Sequence, residues 1–117
     1  MFDFEKLEVY SCTRQLVSEV LTNIYQQQAE LDPDLARQLK TSVTNIILHL
    51  ADGTGKMTNA DKRQAFTTAR GSVFECVAVL QLMYDLKQID LDFYQPVYDN
   101  LETVSKMLLG MIRSFSH

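Results

Sequence analysis

Hydrophobic residues recur along this chain at helical rather than strand spacing. Between Phe4 and Glu30, Leu16, Val20 and Ile24 step by four, with Val17, Leu21 and Tyr25 beside them. That is one apolar stripe on a helix whose other positions, Arg14, Gln15, Ser18, Glu19 and Asn23, are polar. Gln26, Gln27 and Gln28 carry its end out toward solvent. A second helix opens at Asp32-Pro33. Asp32 can accept from the free N–H groups, and Pro33 has no needed donor to lose at the first helical position. Leu35, Leu39, Val43, Ile46 and Leu50 form its face, and Asp52-Gly53-Thr54-Gly55 ends it. Gly53 is the expected left-handed C-cap.

A third helix opens near Thr58 or Asn59 and runs to about Lys87 on Phe66, Ala69, Val73, Cys76, Leu80 and Met83. A fourth starts after Asp90 or Asp92, which places Pro96 in its first turn. Val97, Leu101, Val104, Leu108, Met111 and Phe115 repeat in its a and d positions. Gly71-Ser72 and Gly110 read as points where a neighbouring helix comes close. The connections, around Leu31, from Gly53 to Met57 and from Gln88 to Leu91, are short, and short links make successive helices antiparallel. The expected fold is all-α: an antiparallel up-down-up-down four-helix bundle, one domain over residues 1–117.

Length and composition agree with this. A chain of 117 residues buries roughly two thirds of its surface on folding, enough for a core without disulfides or metal. Only 4 Gly and 2 Pro interrupt it, and 46% hydrophobic content excludes a disordered chain.

The apolar pattern exceeds what one bundle core needs. A helix packed on one side needs an apolar stripe a little over about 100° wide. Between Val73 and Leu86 only Glu75, Gln81 and Asp85 are polar, within an arc of about 120° at the helical angle per residue. Even that arc contains Ala78 and Leu82. The end of the fourth helix repeats the theme with Met107, Leu108, Leu109, Met111 and Ile112. Soluble monomers rarely expose large apolar patches, so a second face of the third helix is expected to meet another copy of the chain. The alternative is a thick central helix buried within one subunit. The residues expected at such oligomer or interhelical contacts are Arg70, Gly71, Glu75, Val79, Leu82 and Leu86.

Charge divides the third helix. The net charge is −4, which disfavours a strongly basic nucleic-acid binder. Yet residues 56–74 hold Lys56, Lys62, Arg63 and Arg70 against Asp61, net +3, whereas residues 75–104 are net −5. The four cations are candidate contacts to an anionic partner such as RNA, with the steep salt dependence of phosphate binding. They fit better an ordinary solvated face with local ion pairs.

No catalytic constellation emerges. His49 flanks the second helix's stripe and His117 is the last residue; no Glu-x-x-His or His-x-x-x-His spacing exists for a metal. Asp52-Gly53-Thr54-Gly55-Lys56 lacks phosphate-loop spacing, and Asp32-Pro33-Asp34 lacks that of a calcium loop. No cofactor or metal is expected, and no enzymatic activity. Cys12 and Cys76 lack Cys-x-x-Cys spacing and read as free thiols in a reducing cytoplasm. Asp3, Glu5 and Glu8 contradict a basic signal-peptide start, and no apolar run has the roughly 20 residues a membrane span needs.

Four segments together resemble one family. Phe4-x-x-Leu7-x-Val9-Tyr10 is similar to its Phe-x-x-Leu-x-Val-Trp opening. Leu35-x-x-Gln38-Leu39, continuing to Ala51-Asp52-Gly53-x-Gly55-Lys56, is similar to its Leu-x-x-Gln-Ile and Ala-Glu-Gly-x-Gly-Arg. Ala69-Arg70-Gly71-Ser72-x-x-Glu75 resembles its Ala-Arg-Gly-Ser-x-x-Glu, and Ser105-Lys106-Met107-Leu108-x-Gly110-Met111-Ile112 its Ser-Lys-Met-Leu-x-Gly-Leu-Ile. The order and spacing, over residues 4–115, are those of the 23S ribosomal RNA intervening-sequence proteins. The resemblance implies an antiparallel four-helix bundle assembling as a ring-like pentamer, with no enzymatic activity. A related bundle is an accessory subunit that binds a reverse transcriptase and nucleic acid. This chain departs from the pattern at Ile47, where many members have Pro, and at His49, where they have Asn.

Two functions follow as expectations. The first is a non-enzymatic homo-oligomeric interaction protein, pentameric by the resemblance, whose main partner is itself. The second is a nucleic-acid-associated accessory protein working with RNA or a reverse transcriptase through Lys56, Lys62, Arg63 and Arg70. A metal or small-molecule bundle enzyme is a third reading that no residue pattern supports.

Overall fold

The computed structural model describes residues 1–116. His117 lies outside the described residues. Regular structure among the described residues is all helical: α1 Glu8–Gln26, α2 Pro33–Thr54, α3 Asn59–Asp85 and α4 Leu91–Ser114, with short 3-10 turns at Asp3–Lys6 and Gln28–Glu30.

The helices form a four-membered cycle in which α2 packs on α3, α3 on α4, and α1 on both α2 and α4. Residue pairs along the seams run in opposite order. Gly53 lies against Phe66 while Ser42 meets Glu75, and Arg63 reaches Phe115 while Arg70 reaches Ser105. The bundle measures 45 × 26 × 22 Å. Its core holds most of the stripes expected from periodicity: Leu16, Val20 and Ile24; Leu39, Val43, Ile46 and Leu50; Phe66, Ala69, Val73, Cys76, Leu80 and Met83; Val97, Leu101, Val104 and Leu108. Leu35, Met111 and Phe115, at the ends of their stripes, are only half-buried. Among the described residues no helix is long and apolar enough to cross a membrane.

Capping chemistry sets most helix starts. The Asp32 carboxylate accepts from the N–H groups of Asp34 (2.9 Å) and Leu35 (3.0 Å), with Pro33 in the first turn. Thr58 accepts from Asp61 (3.1 Å), and Asp90 from Phe93 (3.0 Å). Each cap satisfies a backbone donor that the helix itself cannot.

The structure corrects several details. The first helix begins at Glu8 rather than Phe4, because Leu7 is extended (φ −84°, ψ 133°) and breaks the path from the Asp3–Lys6 turn. Gly53 is not a left-handed cap. It lies inside α2, which continues to Thr54, and it is buried because Phe66 occupies the space a side chain would need. The left-handed residue is Lys87 (φ 61°), which closes α3. There the Lys87 N–H donates to Tyr84 O (3.0 Å) and the Gln88 N–H to Met83 O (2.9 Å), the paired bonds of a Schellman motif. Pro96 is the sixth residue of α4, beyond the first turn. Its missing donor is tolerated because Asp92, four residues before, is exposed and its carbonyl can turn to water. Gly71 and Gly110 are not close-approach points within the subunit: a Cβ at either would meet nothing within 4 Å.

Candidate interaction surface

Surplus apolar surface on α3 survives folding, though not everywhere the pattern placed it. Val79 is buried and Val77 half-buried, so the core claims that edge of the helix. At the end of α4, Met107, Met111 and Ile112 pack partly against the core, so that surplus is largely absorbed within the subunit. The outer face of α3 is not absorbed. Phe74 (56% exposed), Leu82 (51%) and Leu86 (59%) remain open, with Ala78 between them. Arg70, Phe74, Ala78, Leu82 and Leu86 are spaced by four and form one ridge along the helix.

Beside this ridge a groove of about 480 Å³ runs between α3 and α4. Phe74, Val77, Ala78 and Tyr98 line it, and Arg70 and Lys106 stand at its rim. Arg70 is held there by two contacts. Its Nε donates to Ser105 O (3.3 Å), and its guanidinium lies 4.8 Å from the Phe74 ring centroid. Planar guanidinium on an aromatic face suits a half-buried cation. Glu75 points the other way and accepts from Ser42 Oγ (3.3 Å) on α2. Arg70 and Glu75 thus each bridge to a different neighbouring helix. Gly71 lies on the exposed surface between them.

The four cations do not gather into one free patch. Lys56 pairs with Asp52 (3.4 Å). The half-buried Lys62 donates to Thr54 O (2.9 Å), a carbonyl left over at the end of α2. Its ammonium also lies 5.9 Å from the Phe115 ring centroid. Arg63 donates to Phe115 O at the end of α4. Lys62 and Arg63 therefore tie the start of α3 to the ends of α2 and α4, and both complement negative helix C-termini.

Other polar features are local. His49 lines a separate polar hollow of about 370 Å³ with Asp52, Lys56 and Asp61. Among the described residues no group of three or more His, Cys, Asp or Glu side chains is placed to hold a metal. Cys76 is buried, and desolvation, with a smaller contribution from the Glu75 charge, pushes its thiol up to about 12. Such a thiol does not ionise near neutrality and is a poor nucleophile. Tyr84, Tyr94 and Tyr98 stack in a ladder at the foot of α3 and α4, with centroids 4.7 and 5.8 Å apart.

Sequence reasoning missed Phe74 and Tyr98 as surface residues. Phe74 was visible as the residue four after Arg70. Tyr98 was not, because its proximity to Phe74 depends on how α4 packs on α3.

A family model described as 23S rRNA-intervening sequence protein matches residues 5–110. Among solved structures, the chain is similar to a protein of unknown function from the S23 ribosomal protein family of Bacteroides thetaiotaomicron. The two are 17% identical with a TM-score of 0.82, over 89% of this chain and 97% of that one, and the likeness is one of fold. No curated protein matches the sequence.

Proposed function

This chain belongs to the 23S rRNA-intervening sequence protein family, and we propose that it acts as a non-enzymatic, homo-oligomeric helical-bundle interaction protein. The observation that carries this reading is the apolar ridge on α3: Phe74, Leu82 and Leu86 are each more than half exposed on a helix whose other face fills the core. Covering that ridge with a second copy removes apolar surface from water at about 25 cal/mol per Å². A five-membered ring is the size carried forward from the family resemblance. A reducing cytoplasm suits the free thiols Cys12 and Cys76.

Light scattering on purified protein at micromolar concentration tests the reading. The expected mass is a multiple of the 13.4 kDa chain, five-fold for the ring. A species of 13.4 kDa overturns it.

The nucleic-acid reading has less support. Lys56, Lys62 and Arg63 each serve a contact within the subunit, and Arg70 is stacked on Phe74. A gel shift with structured RNA at about 50 mM salt, where phosphate contacts are strong, separates the two readings. Binding that weakens steeply with salt favours the accessory role.

A further inference from the structure

The turn ahead of α1 presents an aromatic side chain outward on a braced support. Phe2 is 71% exposed, yet its backbone is held at both ends. Its N–H donates to Glu5 Oε1 (2.9 Å), and its carbonyl accepts from the Glu5 N–H (3.1 Å). The Phe2 ring stacks on Phe4 (5.8 Å), and Phe4 in turn meets Tyr10 of α1 (4.8 Å). Three rings thus lead from the bundle to an exposed tip. Asp3 and Glu5 make the turn acidic, with Lys6 behind them.

The α3–α4 groove has the complementary character. It is largely apolar, of a size to take an aromatic side chain, and its charged lining is Arg70, Lys106 and Glu102. Lys106 already pairs with Glu102 (3.8 Å). Arg70 and Asp3 have no ion pair among the described residues. The two features cannot meet within one subunit. The turn packs on α1 and α2, whereas the groove lies between α3 and α4, across the bundle.

Resting on the homo-oligomer reading, we infer that the Phe2 turn of one copy seats in the α3–α4 groove of the next, its ring against Phe74 and Asp3 facing Arg70. Knob and groove are different surfaces, so the contact is heterologous. Repeated, it closes into a ring or runs on as a filament. Full burial of an aromatic side chain covers about 150–250 Å², of which Phe2, 71% exposed, and Phe74, 56% exposed, still have the larger part to contribute. A stable interface needs roughly 800 Å² per partner, and the exposed α3 ridge beside the groove is placed to add to it.

Directed disulfide formation tests the seat. Phe2→Cys and Phe74→Cys are made separately in a Cys12→Ser background, with Cys76 buried, and mixed under oxidised glutathione. The expected result is a disulfide dimer on a non-reducing gel only when the two proteins are mixed. Asp3→Arg is expected to lower the oligomer mass, and Arg70→Asp added to it to restore that mass. An oligomer that forms no mixed disulfide and ignores Asp3→Arg overturns this seat and leaves the homo-oligomer reading standing. A disulfide formed by Phe2→Cys alone also overturns it, because it marks a symmetric contact. A monomer overturns both.

Discussion

Gly53 of α2 lies face to face with the Phe66 ring of α3. A Cβ built at Gly53 stands 2.5 Å from Phe66 Cε1, 2.8 Å from Cδ1 and 3.0 Å from the Ala65 Cβ. Phe66 is fully buried, so its ring has little room to retreat. Overpacking of this kind costs about 1–3 kcal/mol, against roughly 1 kcal/mol of helix propensity gained on replacing glycine. Gly53→Ala is therefore expected to destabilise the bundle, by up to about 2 kcal/mol. Gly71→Ala faces open space and is expected to stabilise it by about 1 kcal/mol. Urea unfolding of both variants checks the opposite signs.

Lys87 closes α3 in a conformation that glycine adopts at no steric cost. Its side chain is exposed, so nothing packed is lost when it is removed. Lys87→Gly is expected to raise stability by about 0.5–1 kcal/mol, read as a higher thermal midpoint. An unchanged or lower midpoint would show that the cap carries no strain.

Cys76 gives the stability a defined alkaline dependence. Its thiol moves from an ordinary value of 9.0 to about 12 on folding. Between these values the unfolded chain has lost the proton and the native state keeps it, so stability falls as pH rises through that window and is unaffected below it. The slope from this one group approaches about 1.4 kcal/mol per pH unit. Unfolding curves at pH 8 and pH 10 are expected to differ more for the wild type than for Cys76→Ala. In the native protein at pH 8 a maleimide should leave Cys76 unlabelled until denaturant is added.

Lys62 is expected to act as a structural cation. Lys62→Met keeps an unbranched stem beside Phe115 but removes the bond to Thr54 O. A loss of about 1 kcal/mol in stability is expected, because an end carbonyl of α2 loses its partner. Were Lys62 a phosphate contact instead, the variant would hold its stability and lower the salt slope of RNA binding by about one. Denaturation and salt-titrated gel shifts on the same variant decide between them.

Much of the candidate surface was legible in the sequence because it is a matter of helix phase. Leu82 is exposed because it lies about 100–120° around the helix from Met83 and Cys76, outside the buried arc, and that phase follows from spacing alone. Leu86 is nearer the core side and is exposed because α3 ends at Asp85. The fates of Val79 and Ile112 were not legible. Each lies at the edge of its stripe, where the distance to the next helix decides between core and solvent.

The sequence by itself determined four helices, the cap at Asp32, the pairs Thr58/Asn59 and Asp90/Asp92 from which the structure takes Thr58 and Asp90, and most of the residues that fill the core. These follow from short-range hydrogen bonding and from periodicity, both local in the chain. Only the tertiary structure decided that Gly53 makes room for Phe66, that Lys87 is the left-handed residue, and that Arg70 stacks at the mouth of a groove shared with α4. The physical reason is the same in all three. Backbone conformation and side-chain contact there depend on what a second helix brings within about 4 Å, or on where the chain must turn to reach it, and spacing along one helix does not contain that distance.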